Sequence, residues 1–217
     1  MDTEEQQVEA LKKWWKENGS SIITGVVLGL AVLFGYKYWM AQQEALAKQA
    51  SGIYTVMLNE IDQGENEAAG NRAGVLLADY SATPYASLAA MLLAKLRIEE
   101  DDLESAKTQL QWVLDNSSSG VIQDTARLRM ARVLLGLQDY DKAMEQLDQL
   151  LATSGQDGLL SEIRGDIYTA RGETRQAVDA YQSALAQLGT GNPAHRMVQL
   201  KYDYAVSLAA PAAEEES

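Results

Sequence analysis

Few side chains in this sequence are equipped for acid–base or metal chemistry. The single histidine, His195, follows Asn192-Pro193 in the first turn of a predicted helix. An imidazole there could act as a general base or supply one metal ligand, but each task needs companions: a carboxylate to orient the ring, or two or three further ligands. No second histidine and no cysteine exists to join it, so His195 is expected at the surface. The run Glu99-Glu100-Asp101-Asp102 gathers enough charge to attract a cation. It lacks the alternating oxygen ligands and central glycine of a calcium loop, however, and it precedes a helical pattern whose N-terminal dipole favours acidic residues. No phosphate-cradling glycine loop, dinucleotide fingerprint or nucleophile elbow appears. The expectation is a protein that is not an enzyme, holding no metal and no cofactor.

The absence of cysteine removes disulfides, thiolate metal sites, thiol nucleophiles and a lipidated N-terminal cysteine together. The chain carries 18 basic and 31 acidic residues, a net charge of −13. From residue 41 onward the balance is 14 basic against 26 acidic. Such a surface repels nucleic acid and anionic headgroups, so no nucleic-acid partner is expected.

Residues 18–36, NGSSIITGVVLGLAVLFGY, contain no charge. As a helix these 19 residues reach about 28 Å, close to the hydrocarbon thickness of a bilayer at about 30 Å. Trp14 and Trp15 precede the stretch and Tyr36, Tyr38 and Trp39 follow it, which suits the two headgroup regions. A cleaved export signal would be shorter and would end in small residues rather than Lys37 and bulky aromatics. An uncleaved anchor is therefore expected, making the lipid bilayer the first partner. Lys12, Lys13 and Lys16 before the span outnumber Lys37 and Lys48 after it, which places the N-terminus in the cytoplasm and the remainder outside it. Gly25 and Gly29 form a small-xxx-small pair that would let another helix pack closely. The expected organisation is a cytoplasmic tail over 1–20, a transmembrane helix over 21–40, a helical domain over 41–209 and a disordered acidic tail over 210–217.

Ahead of the span, Thr3 and Gln6 suggest a capping box for a short helix with Val8, Leu11 and Trp15 at helical spacing. After it, the helical pattern runs from Ala41 to about Gln63, with Ile53, Met57 and Ile61 on one face. A second helix carries Ala73, Leu76, Leu77 and Tyr80 and ends at the turn Ser81-Ala82-Thr83-Pro84. Three similar segments follow. Ala106, Ala143 and Ala177 align at separations of 37 and 34 residues; Leu110, Leu147 and Tyr181 lie four residues further on, and Val113, Leu150 and Ala184 three beyond those. Each segment has a helical stretch before it, where Ala94, Ala131 and Gly165 sit twelve residues ahead of the aligned alanines. A fixed apolar series at this period marks stacked helical hairpins, and the small residues allow the two helices of a hairpin to approach. Asn192 as N-cap and Pro193 at the first helical position predict a last helix, with Met197, Leu200, Tyr204 and Leu208 along one face, closing the open end of the stack.

Ala131, Gln138-Asp139-Tyr140 and Ala143 resemble the tetratricopeptide repeat family, as do Gly165, Tyr168, Gly172-Glu173 and Ala177. The segment around Leu93, Ala94 and Ala106 matches more weakly. The resemblance implies an all-α protein: a single N-terminal transmembrane helix followed by a tetratricopeptide-repeat-like α-solenoid with a C-terminal capping helix. It also implies that the first helix of each hairpin lines a concave binding face. The candidates there are Met91, Lys95 and Ile98; Leu128, Arg132 and Leu135; and Glu162, Asp166 and Thr169. Their mixture of apolar and charged side chains suits a protein segment better than a small molecule. The lysine and asparagine clamp by which some members hold a terminal carboxylate is absent at the matching positions.

Over its whole length, through QVEALKKWWKENG, GVVLGLAVLFGYKYW and ARLRMARVLL, the chain resembles the family of ancillary subunits of the SecYEG translocon of Gram-negative bacteria. That resemblance implies an inner-membrane protein with a periplasmic repeat domain. The implied partners are the SecYEG translocon, a PpiD-like membrane-anchored periplasmic chaperone and nascent secreted proteins in transit. The same layout also fits a structural adaptor for another inner-membrane or cell-envelope assembly.

Overall fold

The computed structural model describes residues 2–150 and 157–210, with side chains from residue 6. Among them are helices and turns only: α1 (Asp2–Asp62), α2 (Asn66–Asp79), α3 (Pro84–Glu99), α4 (Leu103–Asn116), α5 (Gly120–Gly136), α6 (Tyr140–Asp148), α7 (Asp157–Arg171), α8 (Thr174–Leu188) and α9 (His195–Ala209). The chain divides into two compact units, residues 1–49 and 50–217.

The first unit is helical throughout its described part. No separate short helix precedes the span, because α1 already begins at Asp2. Ile23, Val26, Leu28, Val32 and Phe34 all lie exposed. A charge-free apolar surface open on every side has the wrong solvent in water and the right one in hydrocarbon. Among the described residues, α1 is the one helix long and apolar enough to cross a membrane. A Cβ added at Gly25 or Gly29 would meet nothing within 4 Å, so that face of the helix is free for a neighbour.

The second unit is a stack of hairpins. Four turns repeat one geometry. Gly64, Asp101, Gln138 and Gly172 adopt left-handed φ values of 78°, 62°, 61° and 76°. The residue after each donates its N–H five positions back: Glu65 to Glu60 O, Asp102 to Arg97 O, Asp139 to Leu134 O and Glu173 to Tyr168 O, at 2.8 to 2.9 Å. These are the closing bonds of a Schellman turn, which satisfies carbonyls left over at a helix C-terminus. Asp102 and Asp139 then cap the following helices, accepting from Ser105 N and Lys142 N. The acidic run Glu99 to Asp102 is thus a helix end, a left-handed turn and an N-cap. The end of α1 with α2 makes the first hairpin and is followed by α3–α4, α5–α6 and α7–α8.

The aligned small and apolar residues form the interior. Ala106, Ala143 and Ala177 are fully buried, and so are Leu110, Val113 and Ala184. Ala94, Ala131, Leu134, Leu147 and Ile163 belong to one continuous core, while Ala50, Met57, Ala73 and Leu76 fill the first hairpin. At Gly165 the two helices of the last hairpin approach so closely that an added Cβ would lie 2.5 Å from the Tyr181 ring.

The last helix differs from its expectation in two ways. It starts at His195, because Asn192 Oδ1 accepts from Ala194 N at 2.9 Å and His195 N donates to Asn192 O, which holds 192–194 as a turn. The face that packs is Val198, Lys201, Tyr202 and Ala205, whereas Met197, Leu200, Tyr204 and Leu208 point outward. The reason lies across the chain. Lys201 finds two carboxylates on α7. On the same face, Val198 and Ala205 join one buried core with Ala177, Tyr181 and Ala184, so this face packs in place of the apolar stripe.

Candidate partner-binding face

Three equivalent positions recur on α3, α5 and α7: three residues before the small residue of each hairpin, one after it and four after it. The first position is interior in every case. Met91 is 7%, Leu128 2% and Glu162 7% exposed. These three therefore pack the stack rather than present an open face, because a residue three before the small residue turns toward the neighbouring hairpin. The second and third positions, Lys95 and Ile98, Arg132 and Leu135, and Asp166 and Thr169, are exposed or half-buried.

Lys95, Ile98 and Arg132 converge on a groove of about 350 Å³ between α3 and α5, completed by Ala94, Leu103, Arg129 and Val133. The floor is apolar and three cations edge it. Each cation is held loosely: Lys95 Nζ lies 3.5 Å from Glu99, Arg129 donates to Met91 O at 3.4 Å, and Arg132 donates to Glu162 at 3.5 Å. These lie at or beyond the long end of hydrogen-bond distances. Sequence reasoning missed Arg129 and Leu103. The signal was available in Arg129, which is three residues from Arg132 and so falls beside it on the same helical face.

At α7 the same positions are closed. Lys201 Nζ donates to Glu162 Oε1 at 2.6 Å and to Asp166 Oδ2 at 2.8 Å, and Tyr181 Oη donates to Asp166 Oδ1 at 2.8 Å. Thr169 Oγ1 lies 3.3 Å from the Tyr181 hydroxyl. Burial alone would lower the Lys201 pKa, but its bonds to Asp166 and Glu162 outweigh that and hold the ammonium above the ordinary lysine range. Burial pushes the Tyr181 hydroxyl up, which keeps it a donor. Glu162 and Asp166 thus work as the seat of α9, while Thr169 faces Tyr181 on α8.

A second trough, about 650 Å³, opens between α4 and α6 over Leu77, Trp112, Met130 and Leu134. Among the described residues no group of His, Cys, Asp and Glu is arranged to hold a metal. His195 is half-buried at the start of α9.

Hairpins closed by Schellman turns, small residues at their crossings and a first-helix face bearing the accessible polar groups define a tetratricopeptide repeat-like scaffold. Residues 12–207 match the family model described as Tetratricopeptide repeat-like domain. Three curated relatives share one name, ancillary SecYEG translocon subunit. The protein from Haemophilus influenzae is 33% identical, with 83% of this chain and 88% of that one covered. The protein from Escherichia coli is 29% identical, covering 85% and 88%, and that from Neisseria gonorrhoeae 26%, covering 92% and 96%. The chain belongs to this family of tetratricopeptide repeat-like ancillary translocon subunits. Among solved structures, MamA (41-end) from Desulfovibrio magneticus RS-1 aligns with a TM-score of 0.55 at 14% identity, covering 78% of this chain and 99% of that one. A MamA RS-1 double mutant gives 0.55 at 15%, covering 76% and 96%. At such identity the likeness concerns the fold alone.

Proposed function

We propose that this protein is a non-catalytic, membrane-anchored scaffold associated with the SecYEG translocon, which links it to a PpiD-like periplasmic chaperone and assists hand-over of nascent secreted proteins. The observation that carries this is the pairing of family membership over most of the chain with a charge-free apolar helix exposed on every side. In this proposal residues 1–20 are a cytoplasmic tail, 21–40 the inner-membrane span, 41–209 the periplasmic repeat domain and 210–217 an acidic tail. Gly25 and Gly29 give the span a surface that a partner helix can approach. Lys95, Ile98, Arg132 and Leu135 are the accessible part of the partner face. Anchoring raises the effective concentration of two partners in one membrane patch to about millimolar, so each contact can be weak and exchange quickly.

Photo-crosslinking from Leu28 in intact cells tests the association. Adducts to a translocon subunit are expected, and self-adducts alone would overturn it. Topology is testable independently, because the chain has no cysteine. In cells with a permeabilised outer membrane, a membrane-impermeant maleimide is expected to label Ser183→Cys and to spare Gln6→Cys. The reverse pattern would invert the assigned orientation.

A further inference from the structure

We infer that the groove between α3 and α5 receives a partner polypeptide segment that presents an apolar side chain flanked by carboxylates. The inference rests on the reading of the first-helix face as a partner surface and adds the chemistry that surface selects. Its lining holds Lys95, Arg129 and Arg132 and no carboxylate, in a chain whose net charge is −13. The cations are exposed, and their contacts within the chain lie at 3.4 to 3.5 Å. Glu162, the acid nearest Arg132, is already bound at 2.6 Å by Lys201. Arg132 and Lys95 can therefore turn to an incoming carboxylate without stripping a buried acid of its partner, and an arginine offers that carboxylate two parallel bonds.

Between the cations, Ile98 is 40% exposed above Ala94, Leu103 and Val133. A volume of about 350 Å³ accommodates a side chain or two and no whole helix, which favours an extended segment. A purely acidic ligand would leave that floor wet, and a purely apolar one would leave three cations unanswered. The surrounding negative charge repels acidic partners at long range, so a carboxylate-bearing segment gains only where the groove presents its cations at contact. Selection is thus local, and it weakens as salt screens the cations.

The test uses the full chain in nanodiscs of zwitterionic lipid, with fluorescence anisotropy of three short labelled peptides: leucine alternating with glutamate, leucine with lysine, and serine with glutamate. The leucine–glutamate peptide is expected to bind at least about tenfold more tightly than either control, and more weakly at high salt. Lys95→Glu combined with Arg132→Glu should abolish that preference and shift it toward the leucine–lysine peptide. Ile98→Ser should weaken the leucine–glutamate peptide several-fold while leaving the salt dependence intact. These side chains are exposed, so unchanged circular dichroism is expected and confirms that the fold survives. Equal binding of all three peptides, or no response to the paired charge change, overturns the inference. Binding that emerges only after removal of residues 211–217, the sequence PAAEEES, would assign the groove to the chain's own acidic tail and overturn the assignment to a partner. Leu28 adducts in cells do not depend on this groove. Their persistence alongside a failed peptide test would strike this inference alone.

Discussion

The α3–α5 groove and the α7–α9 contact use the same helical positions for opposite ends. One residue after the small residue of each hairpin stands Lys95, then Arg132, then Asp166. At the first two the charge faces an open groove and is loosely engaged. At the third it is bound by Lys201 and Tyr181 and supports the terminal helix. A repeat stack needs its last apolar surface covered, and here a sign change at one repeated position supplies the covering contact. A position left open in the middle of the stack is engaged inward at its end.

Breaking the closed end should produce the largest effect. Lys201→Met leaves Asp166 without its cation and Glu162 with only the 3.5 Å contact to Arg132, and should lower stability by about 3 kcal/mol. Adding Glu162→Gln and Asp166→Asn to the same chain should restore most of the loss, which thermal unfolding of the three variants would show. A pH dependence accompanies this. Because the folded Lys201 pKa is raised, the contribution is complete below about pH 10.4, the ordinary lysine value, and disappears only as pH rises through the higher folded value. Melting temperature should therefore drop between wild type and Lys201→Met across the neutral range and converge only in strong alkali.

Tightening the last hairpin comes next. Gly165→Ala gains about 1 kcal/mol of helix propensity but drives a Cβ to 2.5 Å from a buried ring whose hydroxyl is fixed by Asp166. Overpacking should win, with a net loss of about 1–2 kcal/mol. Gly136→Ala is the control at the open end. Its added Cβ meets only Leu103 Cδ1, the far end of a flexible side chain in the groove wall, and it should be neutral or stabilising in the same melts.

A smaller gain is expected at the turns. Gly64 and Gly172 occupy the left-handed position without penalty, whereas Asp101 and Gln138 occupy it with a Cβ. Gln138→Gly should raise stability by about 0.5 kcal/mol, the strain relieved less the extra freedom of glycine in the unfolded chain. Urea unfolding with an unchanged m-value would establish it. Smallest is Leu200→Ser on the outward stripe of α9, which should change stability by less than about 0.5 kcal/mol. A loss of several kcal/mol there would mean that the stripe, rather than the Lys201 face, packs the stack.

The sequence makes the scaffold readable and the end contact opaque for one physical reason. Periodicity reports residues whose neighbours are a turn away, and so Ala106, Ala143, Ala177, Leu110 and Leu147 were recognisable as interior, as the structure places them. It reports poorly on which face of an isolated amphipathic helix meets a partner. On α9 the obvious stripe of Met197, Leu200, Tyr204 and Leu208 yields to Lys201, because the deciding partners lie 35 and 39 residues away in sequence. The same limit explains why Met91, Leu128 and Glu162, expected on an open face, are interior, whereas Lys95, Ile98 and Arg132 line one groove together with Arg129. The turn geometry shared by Gly64, Asp101, Gln138 and Gly172 was half visible, since only two of its four positions carry glycine. That geometry adds the end of α1 and α2 to the repeats as a further hairpin.

The contrast between the two ends is tested most directly by placing a photo-crosslinking residue at Ile98 and, in a second strain, at the equivalent Thr169. Ile98 should yield adducts to another protein in cells, which Lys95→Glu with Arg132→Glu removes, and Thr169 should yield few or none. Equal adduct yields at the two positions, or adducts at Ile98 indifferent to the charge change, would contradict the account.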